Sequence, residues 1–93
     1  MPKLSRQTVA AEMARRYRRF HIGKDWSSLD LWGLFEWGSI SHLLKTGDLL
    51  TDMSKHHKTV WVRPCEKFWE EEIKPLAEEH SLDDLTRLAG WKE

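Results

Sequence analysis

Trp26-Ser-Ser-Leu-Asp-Leu-Trp-Gly-Leu-Phe-Glu-Trp-Gly38 gathers three of the chain's six tryptophans, together with Leu29, Leu31, Leu34 and Phe35. On a helix drawn at 100° per residue these apolar side chains point in nearly every direction. A helix apolar all round belongs inside a bundle, because a surface helix keeps one polar face. Ser27 or Ser28 would cap it, with Asp30 near the positive end of the helix dipole. Gly33 and Gly38 each cost such a helix about 1 kcal/mol relative to alanine. They fit places of close backbone approach, or Gly38 ends the helix. The expectation is a central helix here, with Trp32, Leu34 and Phe35 sharing a core with Ile40, Trp69 and Ile73.

Working outward, Ser5 or Thr8 can cap a first helix that runs to about Phe20. Val9, Met13, Tyr17 and Phe20 share one of its faces; Arg15, Arg18 and Arg19 fall opposite, with Arg16 at the flank. Gly23 is the expected left-handed stop. Beyond the tryptophan stretch, Ser39–Thr46 reads as a short helix or a kinked continuation, ended by Gly47. Thr59–Arg63 is strand-like in composition. It is expected to pair with Leu49–Met53 as a hairpin whose tip is Ser54-Lys-His-His-Lys58, unless Leu49–Met53 forms a helical turn. Pro64 suits the first turn of the next helix. That helix carries the stripe Cys65, Phe68, Trp69, Ile73 and Leu76, and Pro75 should kink it. Ser81 with Asp84 opens a last helix, Gly90 closes it, and Trp91 packs back on it. The expected fold is therefore mostly α, a small helical bundle with one short β-hairpin or strand pair, in a single domain over residues 1–93.

Ninety-three residues bury roughly 60–65% of the surface of the unfolded chain, so each aromatic side chain counts. The net charge of zero conceals an asymmetry. Residues 1–65 hold eleven Lys/Arg against six Asp/Glu, and residues 66–93 hold four against nine. A basic body thus carries acidic C-terminal helices, either as an electropositive partner-binding face or as two halves that attract each other. No apolar run spans a bilayer and Met-Pro-Lys-Leu-Ser-Arg has no apolar signal core. One cysteine precludes an internal disulfide. A cytoplasmic protein is expected.

Catalytic signatures do not emerge. The five histidines include no His-x3-His pair, and neither a Cys-x2-Cys nor a His-Glu-x-x-His motif occurs. Cys65 stands where a helix dipole could activate a thiol, but it also begins an apolar stripe, where cysteine acts as a small hydrophobe. Glu70, Glu71 and Glu72 read as a solvated face. The chain has no Gly-rich phosphate loop and no nucleophile elbow. No enzyme activity, metal or cofactor is expected.

Binding remains, in two forms. The order helix, helix, short helix ending Thr46-Gly47, then a hairpin with a basic tip resembles a winged-helix DNA-binding domain. The resemblance covers roughly residues 8–63 and rests on element order. It implies that Ser39–Thr46 is a recognition helix and Ser54–Lys58 a wing, with Lys45, Lys55, His56, His57 and Lys58 facing nucleic acid. The helix offers Ser39, Ser41, His42 and Lys45, but no Arg, Asn or Gln for bidentate base contacts. A chain of zero net charge gains phosphate attraction only if its acid is kept away.

The other form is the primary expectation: a small non-catalytic adaptor or inhibitor that docks on a larger cellular or host protein, such as a nucleic-acid-processing machine. Trp and Arg are enriched at interface hot spots, which points to Arg15, Arg16, Arg18, Arg19, Trp26 and Trp91. Phages and mobile elements often encode such stand-alone, Trp-rich regulators.

Overall fold

A computed structural model describes residues 6–22, 24–28, 37–52 and 61–91. The order is α1 (Arg6–Phe20), β1 (Ser27–Ser28), α2 (Trp37–Thr46), β2 (Leu49–Asp52) and β3 (Trp61–Pro64). Then α3 (Glu66–Phe68), a π turn (Trp69–Ile73) and α4 (Lys74–Glu79) run on as one rod, and α5 (Leu82–Leu88) follows. The chain is mostly α with a small three-stranded antiparallel sheet of order β1-β3-β2. No helix among the described residues is long and apolar enough to cross a membrane.

Among the described residues the helix at the centre is α1. Val9, Ala10, Ala11, Met13 and Ala14 are all buried, and α5, α4 and the π turn pack around it. Alanine explains the choice of centre: with only a methyl to place, Ala10, Ala11 and Ala14 let neighbouring backbones come close, and Ala77 and Ala89 on the partner helices are buried too. The outer edge of the expected apolar face is corrected. Tyr17 and Phe20 are exposed, at 38% and 52%, while Glu12 and Arg16 are buried.

Most of the expected central helix, residues 29–36, lies outside the described residues. Ser27 and Ser28, expected as caps, form a strand opposite Val62 and Trp61. Helix α2 begins at Trp37 and runs through Gly38, so Gly38 is not its stop. Trp32, Leu34 and Phe35 lie outside the described residues, whereas Ile40, Trp69 and Ile73 do share one core with Val9, Met13 and Leu85. The residue in left-handed conformation after α1 is His21, at φ 59°, with its N–H donating to the Tyr17 carbonyl. Gly23 lies outside the described residues.

The hairpin is present, with Leu49 opposite Pro64 and Asp52 opposite Trp61, so residues 49–52 are strand rather than helical turn. Pro64 ends β3 instead of opening a helix, which costs the ladder only a terminal bond. Cys65 takes the cap position, its thiol accepting the Phe68 N–H at 3.3 Å. Ahead of Pro75 the rod widens into the π turn, where the Lys74 N–H donates to the Trp69 carbonyl five residues back. Wider winding just before a proline is one way to relieve its ring's crowding of the preceding turn. Ser81 caps α5 through the Asp84 N–H at 3.1 Å. Gly90, at φ 92°, closes α5, and the N–H groups of Gly90 and Trp91 return to the carbonyls of Arg87 and Thr86. These two bonds make a Schellman stop.

Candidate functional site

Helix α2 and the hairpin are locked together at their junction. Gly47, at φ 85°, reverses the chain in a conformation that side chains resist. Its neighbour Asp48 is fixed three ways. Its carboxylate accepts from Thr46 Oγ1 at 2.8 Å and from the Arg6 guanidinium, and its carbonyl accepts the Cys65 N–H at 2.8 Å. The first helix, the end of α2, the start of β2 and the end of β3 therefore meet at one residue. Ile40 and Leu43 face the core, while His42, Lys45 and Thr46 are exposed and Ser41 is half-buried. Lys45 is in solvent, as expected. Lys55, His56, His57 and Lys58, between β2 and β3 in sequence, lie outside the described residues.

The acidic helices go elsewhere. Their packing is chiefly on α1, whereas α2 packs chiefly on β2. Arg6 bridges Asp48 to Glu72, Glu70 pairs with Lys74, and Asp84 pairs with Arg87. The acid of residues 66–88 is thus gathered around α1, and part of it is neutralised within its own helices.

A second cluster is built on α1. The fully buried Glu12 accepts from Arg15 at 3.3 Å, from Arg16 at 3.4 Å, and from the Trp91 indole N–H at 2.9 Å. Arg16 also donates to Ser27 Oγ at 2.7 Å, joining α1 to β1. Burial pushes the Arg16 pKa down from its ordinary value while Glu12 opposes the shift; the guanidinium stays charged at neutral pH. The Arg15 guanidinium lies 4.6 Å over the Trp91 ring, and Arg19 lies 5.3 Å over Phe20. Arg15, Arg16, Phe20, Ile22 and Trp91 line an open cleft of about 420 Å³.

The arginines expected as one basic face thus have different fates. Arg16, 4% exposed, is a buried structural cation and not a surface contact. Arg18 donates to the carbonyls of Ala77 and His80 at the end of α4. Arg15 is shared between Glu12 and Trp91, and Arg19 alone sits outward over an exposed ring. Trp26 lies apart from Trp91: its ring is under Arg63, at 5.1 Å, beside a cleft of about 430 Å³ that Lys24, Glu66 and Trp69 also line. Sequence reasoning missed Glu12, Phe20 and Ile22. Glu12 did leave a signal, standing three and four residues before Arg15 and Arg16, the spacing at which helical side chains meet.

Among the described residues no three His, Cys, Asp or Glu side chains gather where they could hold a metal ion. Comparison with protein-family models, with curated proteins and with solved structures finds no match to the chain.

Proposed function

We propose that the protein is a small winged-helix-like protein that binds duplex DNA, acting in the cytoplasm. One observation carries this reading. Helix α2 has its inner face in the core and its outer face carrying His42, Lys45 and Thr46, and it feeds through the pinned Asp48 junction directly into the hairpin. Of the order on which the winged-helix resemblance rests, the described residues carry the first helix, the short helix and the hairpin. The second helix expected over residues 26–38 lies mostly outside them, and its Ser27 and Ser28 are strand. The acidic helices pack chiefly on α1. Where their rod meets the Asp48 junction, Arg6 is paired with both Asp48 and Glu72, which leaves the outer face of α2 and the hairpin as the side for phosphate. With no Arg, Asn or Gln on residues 39–46, α2 contributes position and phosphate contact more than base reading. The basic residues Lys55, His56, His57 and Lys58 between the strands would add phosphate contacts.

The test is fluorescence anisotropy with a duplex of mixed sequence, titrated between 50 and 200 mM salt. Each phosphate contact contributes roughly 0.9 to the slope of log K against log salt. Lys45→Ala is expected to reduce that slope by about one unit and Lys55→Ala/Lys58→Ala by about two. No binding at micromolar protein and 50 mM salt, or slopes unchanged in both variants, would overturn the reading.

Docking onto a larger protein, which the tryptophan content favours, is a second reading supported by the cleft between Phe20 and Trp91. The two roles use different faces and do not compete. Capture from bacterial lysate with and without nuclease separates them, since only a protein partner survives nuclease.

A further inference from the structure

Phe20 is the most exposed of the large apolar side chains described, with 52% of its surface open. It stands on the last turn of α1, beside Ile22 and across from Trp91, in the cleft of about 420 Å³. Both aromatic walls carry a guanidinium on their rings, Arg15 on Trp91 and Arg19 on Phe20. Arg15 already shares the buried Glu12. Among the described residues Arg19 has no carboxylate partner, and its charge lies at the mouth of an apolar bed.

We infer that this cleft is a docking site for an acidic peptide segment of a partner protein, one that inserts an apolar side chain between Phe20, Ile22 and Trp91 and sets flanking carboxylates against Arg19 and Arg15. The inference rests on the protein-docking reading and names the partner's chemistry. Three features select that chemistry. The bed is aromatic and aliphatic, which suits a Phe, Leu or Trp anchor of the kind that dominates interface energy. Arg19, stacked on the Phe20 ring, keeps its in-plane donors available for a planar, bidentate carboxylate, while Arg15, bound to Glu12, adds charge. The guanidinium of Arg19, which has no carboxylate partner among the described residues, attracts an approaching acid, so docking is electrostatically steered and salt-sensitive. The acidic helices of this same chain are committed to α1 and to internal ion pairs, and none of their residues lines the cleft.

The experiment pans the full chain against a random peptide library and measures the enriched peptides by anisotropy. Arg19→Glu and Phe20→Ser serve as variants because both side chains are exposed and neither belongs to the Glu12 cluster. Enrichment of peptides with an apolar residue flanked by Asp or Glu is expected, with binding about tenfold weaker in each variant and weakening as salt rises. Enriched peptides that are neutral or basic, or binding indifferent to Arg19→Glu, would overturn the assigned chemistry while leaving docking at the cleft intact. No enrichment, with light scattering showing a dimer that Phe20→Ser dissolves, would overturn it in favour of a second copy of this chain. No enrichment from a monomer would overturn both the inference and the docking reading beneath it.

Discussion

Glu12→Ala tests whether the buried cluster on α1 holds the fold together. The substitution removes both ion pairs and the acceptor of the Trp91 indole, and it leaves Arg16 buried with its charge less compensated. Taking one partner from a buried pair costs about 3–5 kcal/mol. The contacts at 3.3 and 3.4 Å are longer than those of strong charge-assisted bonds, which lie near about 2.8 Å. The lower end therefore applies, about 3 kcal/mol, a large part of the roughly 5–15 kcal/mol that stabilises a typical domain. In a domain this size about 5 °C of Tm goes with each kcal/mol, so the melt should fall by about 15 °C. Glu12→Gln keeps an acceptor for Trp91 and should cost about 1 kcal/mol less, the value of one hydrogen bond. Trp91→Phe should cost about 1 kcal/mol in the parent and little in the Glu12→Ala background, because its partner is already gone. Urea unfolding followed by circular dichroism reads the parent and all four variants without relying on tryptophan emission. A Glu12→Gln protein within 0.5 kcal/mol of the parent, or additive losses in the double variant, would refute this account of the cluster.

Three further outcomes follow from the packing and the caps. Ala14→Leu, placed where α1 is fully buried, should destabilise by about 1–3 kcal/mol through overpacking, read as a drop in urea midpoint at constant slope. Cys65→Ser should match the parent or exceed it, since serine is a preferred cap, whereas Cys65→Ala should lose about 1 kcal/mol in the same assay. Gly90→Ala must hold a methylated residue at φ 92° and should cost about 1–2 kcal/mol; an unchanged Tm would mean that the Schellman stop does not constrain the end of α5.

Much of the element order is legible in the sequence because local chemistry fixes it. The Gly47 and Gly90 stops, the Ser81 cap and the β-rich run before Pro64 all act within a few residues of themselves. The identity of the central helix is not legible that way. Counting large apolar side chains favours residues 26–38, most of which lie outside the described residues; α1 is buried through small alanines, an advantage that exists only once α4 and α5 approach. Ser27 and Ser28 show the same limit: two residues have no period, and they become a strand because Val62 and Trp61 are there to pair with. In the candidate sites Lys45 could be placed on an exposed helix face from spacing alone. Arg16 could not be told from its basic neighbours, since what buries it is an acid one turn back and a serine on another element. The Trp91–Glu12 bond joins residues 79 apart, and no local pattern announces it.

That separation has a consequence for the order in which the molecule can be completed. Helix α1 precedes in the chain the residues that share its core, from Ile40 and Leu43 to Phe68, Ile73 and Leu85, and Trp91 reaches Glu12 later still. At about 5–20 residues per second, roughly 4–16 s pass between synthesis of Glu12 and of Trp91. Through that interval the buried face of α1 has only the earlier members of its core, such as Ile40, Leu43, Leu49 and Val62, to lie against. A chain released early, before residue 91, would lack the indole that seats on Glu12 and would offer cellular proteases an open α1.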